Sequence, residues 1–205
     1  MAHAFLREDR NRTVARRGAR LALPRLDQTQ NVDQKDMKSI RYRAIGTIRT
    51  QFKDLCGMPI QPTGARRVRG TVEVATKYQA GLKDLRGFSH VILLYHFHRS
   101  RGYELRVRPF MDSRLRGVFA TRAPRRPNPI GLSVVRLVGI RGRRLRVEGV
   151  DIVDGTPLLD IKPYVPEFDH PGPTRIGWLK KSHVKARMCR SDDRFIPDSA
   201  RGANL

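Results

Sequence analysis

Between Arg41 and Ile161 the apolar residues fall in short runs at period two, and hardly anywhere at the period of a helix. Successive side chains of an extended chain point to opposite faces, so such runs build strands with one face buried. Tyr42–Ile48 alternates, Val68–Thr76 (VRGTVEVAT) alternates more clearly, and His90–His98 (HVILLYHFH) is a near-continuous apolar and aromatic run suited to a buried strand. Val118–Thr121, Ser133–Ile140 and Leu145–Val153 follow as further strands, with Arg141-Gly142 as the turn between the last two. The one helical stretch is Lys77–Leu85, where Tyr78, Leu82 and Leu85 recur at helical spacing before Gly87 stops it. Short strands, tight turns and one short helix specify a mainly β chain, an antiparallel sheet or barrel.

A chain of 205 residues can bury one good core. Met1 to Asp36, rich in Arg, Asn, Asp and Gln without a sustained period, reads as a mobile basic arm that cannot offset its ordering entropy. Patterned sequence begins just after Met37, which makes that methionine a candidate for the natural start; an intact mass that includes earlier residues would reject this. Residues 37–166 then form the domain, and 167–205 a basic C-terminal extension. After Tyr164 the pattern dissolves into the loop PEFDHPGPTR, and Trp178–Met188 could form a short helix packing on the body or on RNA. Cys56 and Cys189 give neither a disulfide framework nor paired metal-ligand spacing. No apolar run approaches about 18 residues, Val91–Tyr95 being strand-sized. A soluble cytoplasmic protein is expected, with no membrane partner.

Lys and Arg number 42 against 19 Asp and Glu, a formal charge of +23, so the expected partners are polyanions. Nucleic acid is the natural one, because each neutralised phosphate releases counterions without any sequence readout. The 33 Arg outnumber 9 Lys, and guanidinium forks suit phosphate and carboxylate better than ammonium does. Base-composition bias would also enrich Arg.

Thr121–Gly131, TRAPRRPNPIG, carries Pro124, Pro127 and Pro129 within six residues, so its backbone is shaped by fixed φ angles. Each preceding residue is pushed into extended geometry, which would turn Arg126 and Asn128 toward one site. A guanidinium fork beside an amide that both donates and accepts suits a nucleotide. Gly131 would admit a ligand or a second backbone closely. The competing reading is a rigid connector whose polar groups satisfy nearby carbonyls. Further on, Asp154-Gly155 in DIVDGTPLLDIKPY is a strong turn pair, from which Leu158–Ile161 can return as a strand.

Gly117–Ser133 (GVFATRAPRRPNPIGLS) resembles the signature of the TrmO family, in which Phe-Ala-Thr-Arg leads to Arg-Pro-Asn-Pro-Ile-Gly. The resemblance extends in order over Ala44–Ile48, Gly87–His90, His96–Arg99 and Asp151–Tyr164. It implies a small single-sheet β-barrel that binds S-adenosyl-L-methionine and usually forms a homodimer. It also implies methylation of N6 of N6-threonylcarbamoyladenosine, just 3′ of the anticodon in tRNA. Consistently, no G-x-G-x-x-G follows a strand and opens a helix here. By the same resemblance Gln61, Pro62, Thr63, His98, Arg99, Arg122, Leu132, Asp154, Gly155, Thr156 and Pro157 line the cofactor pocket. Arg126, Asn128 and Tyr164 are expected to meet substrate.

A sulfonium methyl is already a good electrophile, so alignment and exclusion of water are the main demands. The acceptor nitrogen has a delocalised lone pair, and removing its proton should help; Asn128, Asp154 and Asp160 are the candidate acceptors. The threonyl carboxylate invites an Arg fork from Arg126 or Arg99. An anticodon-loop base is reached through stacking and phosphate contacts. Tyr95, Phe97, Tyr103, Phe110 and Tyr164 are available for the first, and Arg66, Arg67, Arg69, Arg141, Arg143, Arg144 and Arg146 for the second. His90, His96 and His98 share one face of a strand, yet no Cys or carboxylate set with ligand spacing accompanies them, so no metal is expected. The alternatives are a noncatalytic RNA-binding barrel and a methyltransferase with another acceptor.

Overall fold

The structure, a computed structural model, describes residues 39–196. The expected N-terminal arm and the Met37 start lie outside those residues. Ser39 and Ile40 belong to a separate N-terminal unit, and the compact unit begins at Arg41.

Six strands close into an antiparallel barrel in the order β1 (Gly46–Arg49), β2 (Arg69–Val74), β7 (Arg144–Glu148), β6 (Ile130–Arg141), β3 (His90–His96) and β8 (Thr156–Pro163). Pairing of Gly46–Ile48 with Thr156–Leu158 shuts the ring. A two-stranded ribbon, β4 (Arg106–Val107) with β5 (Arg116–Gly117), stands apart.

The alternation is what closes the core. Val91, Leu93 and Tyr95 of β3 point inward and are buried, while His90, Ile92, Leu94 and His96 are half-buried on the outer face. β3 is therefore one-sided, although its run reads as apolar almost throughout. Ile48, Val72, Val74, Val135, Leu145, Val147 and Leu158 meet its inner face, and Val150 and Ile152 add to the same core.

Several elements differ from their sequence reading. Val118–Thr121 is a 3-10 turn over Val118–Ala120 rather than a strand. Lys77–Leu85 is two 3-10 turns, Thr76–Leu82 and Leu85–Gly87, split by Asp84 at φ 64°. No side chain caps either turn, and Gly81 raises the cost of a segment too short to nucleate an α-helix alone. Tyr78, Leu82 and Leu85 still pack on the core, which accounts for their spacing. β6 is longer than expected, and β7 shorter because Gly149 at φ 87° ends it. The loop after Tyr164 opens with a short helix, α1 (Pro166–Asp169).

Beyond α1 the described residues make three 3-10 turns and return to the body. Pro59 bridges Arg190, and the Gly57 and Ser191 amides donate to Ser191 and Met58 carbonyls at 2.8 Å each. Phe195 is buried with Val107, Val118 and Ala123 in a second small core, its ring edge-on to Phe110.

Candidate functional site

The loops at one end of the barrel surround a cavity of about 320 Å³, within the range of roughly 300–1,000 Å³ usual for small-molecule sites. Four stretches converge on it: Leu55–Gln61 before β2, Tyr95–Ser100 at the end of β3, Thr121–Leu132 leading into β6, and Asp151–Thr156 leading into β8. Phe110, Ser191, Asp192, Phe195 and Ile196 supply the remaining wall.

The proline-containing segment is fixed from both sides. The Phe97 amide donates to the Pro129 carbonyl at 2.8 Å, and Arg126 Nη1 donates to the Thr121 and Ala123 carbonyls at 3.1 and 3.4 Å. Arg126 thus faces the cavity while holding its own loop, whereas Asn128 is exposed and outside the lining. The extended-chain expectation that the two face one site together does not survive, because the segment bends at Asn128. Its carbonyl accepts from the Ile130 amide two residues on. A Cβ at Gly131 would clash with the Tyr95 ring, so this glycine admits an aromatic side chain rather than a second backbone.

Gln61, His98, Arg99, Arg122, Leu132 and Thr156 line the cavity. Arg122 Nη1 donates to Gln61 Oε1 at 3.3 Å, and Arg99 Nη1 to the Lys53 carbonyl at 2.7 Å. Buried Thr156 donates to the Val153 carbonyl at 2.7 Å, with its Oγ1 3.4 Å from His98 Nδ1. Burial, then the charges of Arg99 and His96, hold the His98 imidazole below its ordinary pKa.

The remaining expected positions fall outside the lining. Pro62 and Thr63 begin the 3-10 turn next to Gln61. Asp154 and Gly155 form the turn before β8, where Asp154 accepts from Lys53 Nζ at 2.7 Å and the Thr50 amide at 3.0 Å. Those bonds hold its carboxyl below the usual carboxylate range. Pro157 pairs with Thr47 in the barrel wall. Asp160 pairs with Lys162 at 2.7 Å, opposite Leu94. Tyr164 sits against His90, at the other end of β3 from the cavity. Among the described residues no group of three His, Cys, Asp or Glu could hold a metal, and no helix is long and apolar enough to cross a membrane.

A buried polar chain, not singled out from the sequence, lies in the cavity wall. Ser133 Oγ donates to Asp151 Oδ1 at 2.7 Å, which leaves Tyr95 Oη to donate to Ser133 at 3.1 Å. Burial drives the Asp151 carboxyl up from 3.8 to about 6, against the lowering effects of the Ser133 bond and the Arg122 charge. Burial first, then the Asp151 charge, raises Tyr95, so the phenol stays protonated. The sequence shows only an Asp between Val150 and Ile152, which does not set it apart from Asp154 or Asp160 in the same motif.

Residues 47–170 match the family model described as the tRNA-methyltransferase O N-terminal domain. The chain belongs to the TrmO family. A probable S-adenosyl-L-methionine-binding protein of Pyrococcus abyssi is 56% identical over 157 residues, 77% of this chain and 85% of that protein. The mouse protein named tRNA (adenine(37)-N6)-methyltransferase is 37% identical over 134 residues, 62% of this chain but 31% of that one. A crystal structure of TrmO from Pseudomonas aeruginosa superposes with a TM-score of 0.59 at 41% identity, covering 69% of this chain and 63% of that chain. The shared TrmO domain therefore contains the barrel and most of the cavity, while the Ser191–Ile196 wall lies beyond residue 170.

Proposed function

We propose that this chain transfers a methyl group from S-adenosyl-L-methionine to N6 of N6-threonylcarbamoyladenosine beside the anticodon of tRNA. One observation carries the reading. Gln61, His98, Arg99, Arg122, Leu132 and Thr156, six positions that the TrmO resemblance implies for the cofactor, come from four separate stretches of chain and line one cavity. The names of the relatives agree with the cofactor and the tRNA.

The cavity suits such a cofactor. Ser100 Oγ, which lines it, is a buried side-chain oxygen without a hydrogen-bond partner among the described residues. Buried hydroxyls are almost always paired, so this one is positioned to bond a guest. Apolar surface from Met58, Phe97, Leu132 and Ile152 would take the adenine, and Gln61, Ser100 and the backbone near Val153 would take polar edges. When bound, the cofactor supplies an electrophilic methyl; the protein's part is to align the acceptor and exclude water. Arg99 and Arg126 at the cavity offer guanidinium to the threonyl carboxylate of the substrate.

The same reading makes the protein a cytoplasmic homodimer that grips the anticodon loop. Leu105, Leu115 and Phe119, respectively 61%, 50% and 75% exposed on and beside the β4–β5 ribbon, are an apolar surface that a second copy would cover. Nucleoside mass spectrometry on tRNA from a deletion strain tests the activity. Loss of N6-methylated threonylcarbamoyladenosine is expected, and its persistence at normal level, without a paralogue, would overturn the substrate. Calorimetric titration with S-adenosylmethionine separates this reading from a noncatalytic RNA-binding barrel, which should give no heat.

A further inference from the structure

The acceptor nitrogen must lose a proton during transfer, and the cavity wall contains two carboxylates, Asp151 and Asp192. Asp192 is saturated: Arg194 bonds it through Nε at 2.8 and 3.0 Å, Nη2 at 2.5 Å and the backbone amide at 3.1 Å. Those bonds push its carboxyl down, making it a poor proton acceptor. Asp154 and Asp160 are ion-paired and outside the lining. Asp151 has one oxygen held by Ser133, also meets its own backbone amide, has no salt-bridge partner at 4 Å or less among the described residues, and faces the same cavity as Gln61, Arg122 and Thr156.

Resting on the proposed methyl transfer, we propose that Asp151 is its general base, with Ser133 as the positioning residue that aims the carboxylate at the acceptor N6. N6 forms its bond to the methyl carbon, and the S–CH3 electron pair stays on sulfur, which leaves as a neutral thioether. The N6–H electron pair returns to nitrogen, and the proton ends on Asp151. The directed chain Tyr95 to Ser133 to Asp151 fixes the hydroxyl rotor, so the carboxylate has one orientation before substrate arrives. Arg122 is the cation near this carboxylate, Tyr95 the neutral titratable group behind it, and His98, Arg99, Arg126 and Asp192 share the cavity. A carboxyl titrating near 6 is ionised at neutral pH and retains proton affinity, the balance that general-base catalysis favours.

Single-turnover methyl transfer to tRNA carrying threonylcarbamoyladenosine, measured over pH 5–9 for the wild type, D151N and H98N, tests the assignment. Wild-type rate should fall as pH drops through about 6, and D151N should lose roughly 10²–10⁴-fold and the acid limb together. S-adenosylmethionine affinity, measured by calorimetry, should stay within about threefold. A D151N rate within a few-fold of wild type overturns the proposal, as does an acid limb abolished instead in H98N. Carboxyl-carbon NMR of the free protein gives a second readout. A resonance titrating near 6 should be absent from D151N and move upward in S133A, where the bond favouring the charged form is gone. An Asp151 titration at or below 4 overturns the proposal even if D151N is inactive. A wild type that binds cofactor but leaves this tRNA unmodified fails the proposed substrate itself, a result distinct from a dispensable Asp151.

Discussion

Burying Asp151 beside Ser133 lowers the stability of the fold at neutral pH. Its carboxyl titrates higher in the folded protein than in an open chain, so folding favours the protonated form. Stability from this group is fully present below about 4, declines as pH rises toward 6, and is flat above. The move from 3.8 to about 6 corresponds to no more than ~3 kcal/mol. Asp151→Asn should therefore melt above the wild type at pH 8, with the gap narrowing as pH falls to 4. An equal gap at both pH values in thermal melts would contradict the burial account. Nothing in one sequence separates such a residue from its neighbours, since Asp151, Asp154 and Asp160 are the same residue type within one motif. Their difference comes from their contacts in the fold: Ser133 approaches Asp151 and Lys53 claims Asp154 over long sequence separations, whereas the neighbouring Lys162 claims Asp160.

Local elements were legible where period and turn chemistry agreed. The β6–β7 hairpin follows from alternation on both sides of a glycine turn, but its central pair is Gly142-Arg143, one residue later than the expected Arg141-Gly142, because Arg141 still pairs with Arg144 and Gly142 at φ 56° takes the first central position, as a type II′ turn requires. Gly142→Ala should cost about 1 kcal/mol through that left-handed backbone, measurable by denaturant midpoint without a change in cofactor affinity. Gly131→Ala is a different experiment. It drives a methyl into the Tyr95 ring, so a loss of roughly 1–3 kcal/mol should come with weakened catalysis, because Tyr95 holds Ser133. Stability lost with turnover unaffected would detach the Tyr95–Ser133 chain from function. The reading of Lys77–Leu85 missed its helix type because spacings of three and four residues do not distinguish a 3-10 turn from one α-turn, and only capping and length decide.

At the scale of the molecule, composition points to a polyanionic partner, and the strand pattern left an antiparallel sheet or barrel, which the structure resolves as a closed barrel; neither could foretell which distant segments close the cavity. With a formal charge of +23, tRNA affinity should fall at least ~10²-fold between 50 and 200 mM salt, and a weaker dependence in filter binding would argue against broad phosphate contact. Phe195→Ala should open the Ser191–Ile196 wall and cost on the order of 3 kcal/mol locally. Hydrogen exchange at residues 190–196 should rise while the barrel strands stay protected, and S-adenosylmethionine binding should weaken. Unchanged binding would leave this wall a purely structural cover.

Closure of the barrel between β1 and β8 also sets an order of events during synthesis. Thr50 meets Asp154 across 104 residues, and Leu55 meets Ser191 across 136. The first strand must wait beside the ribosome for a partner made much later, and the cavity gains its last wall later still. A nascent chain can thus gather its early hairpins without an assembled cavity, which is complete only when the end of the described chain has been released.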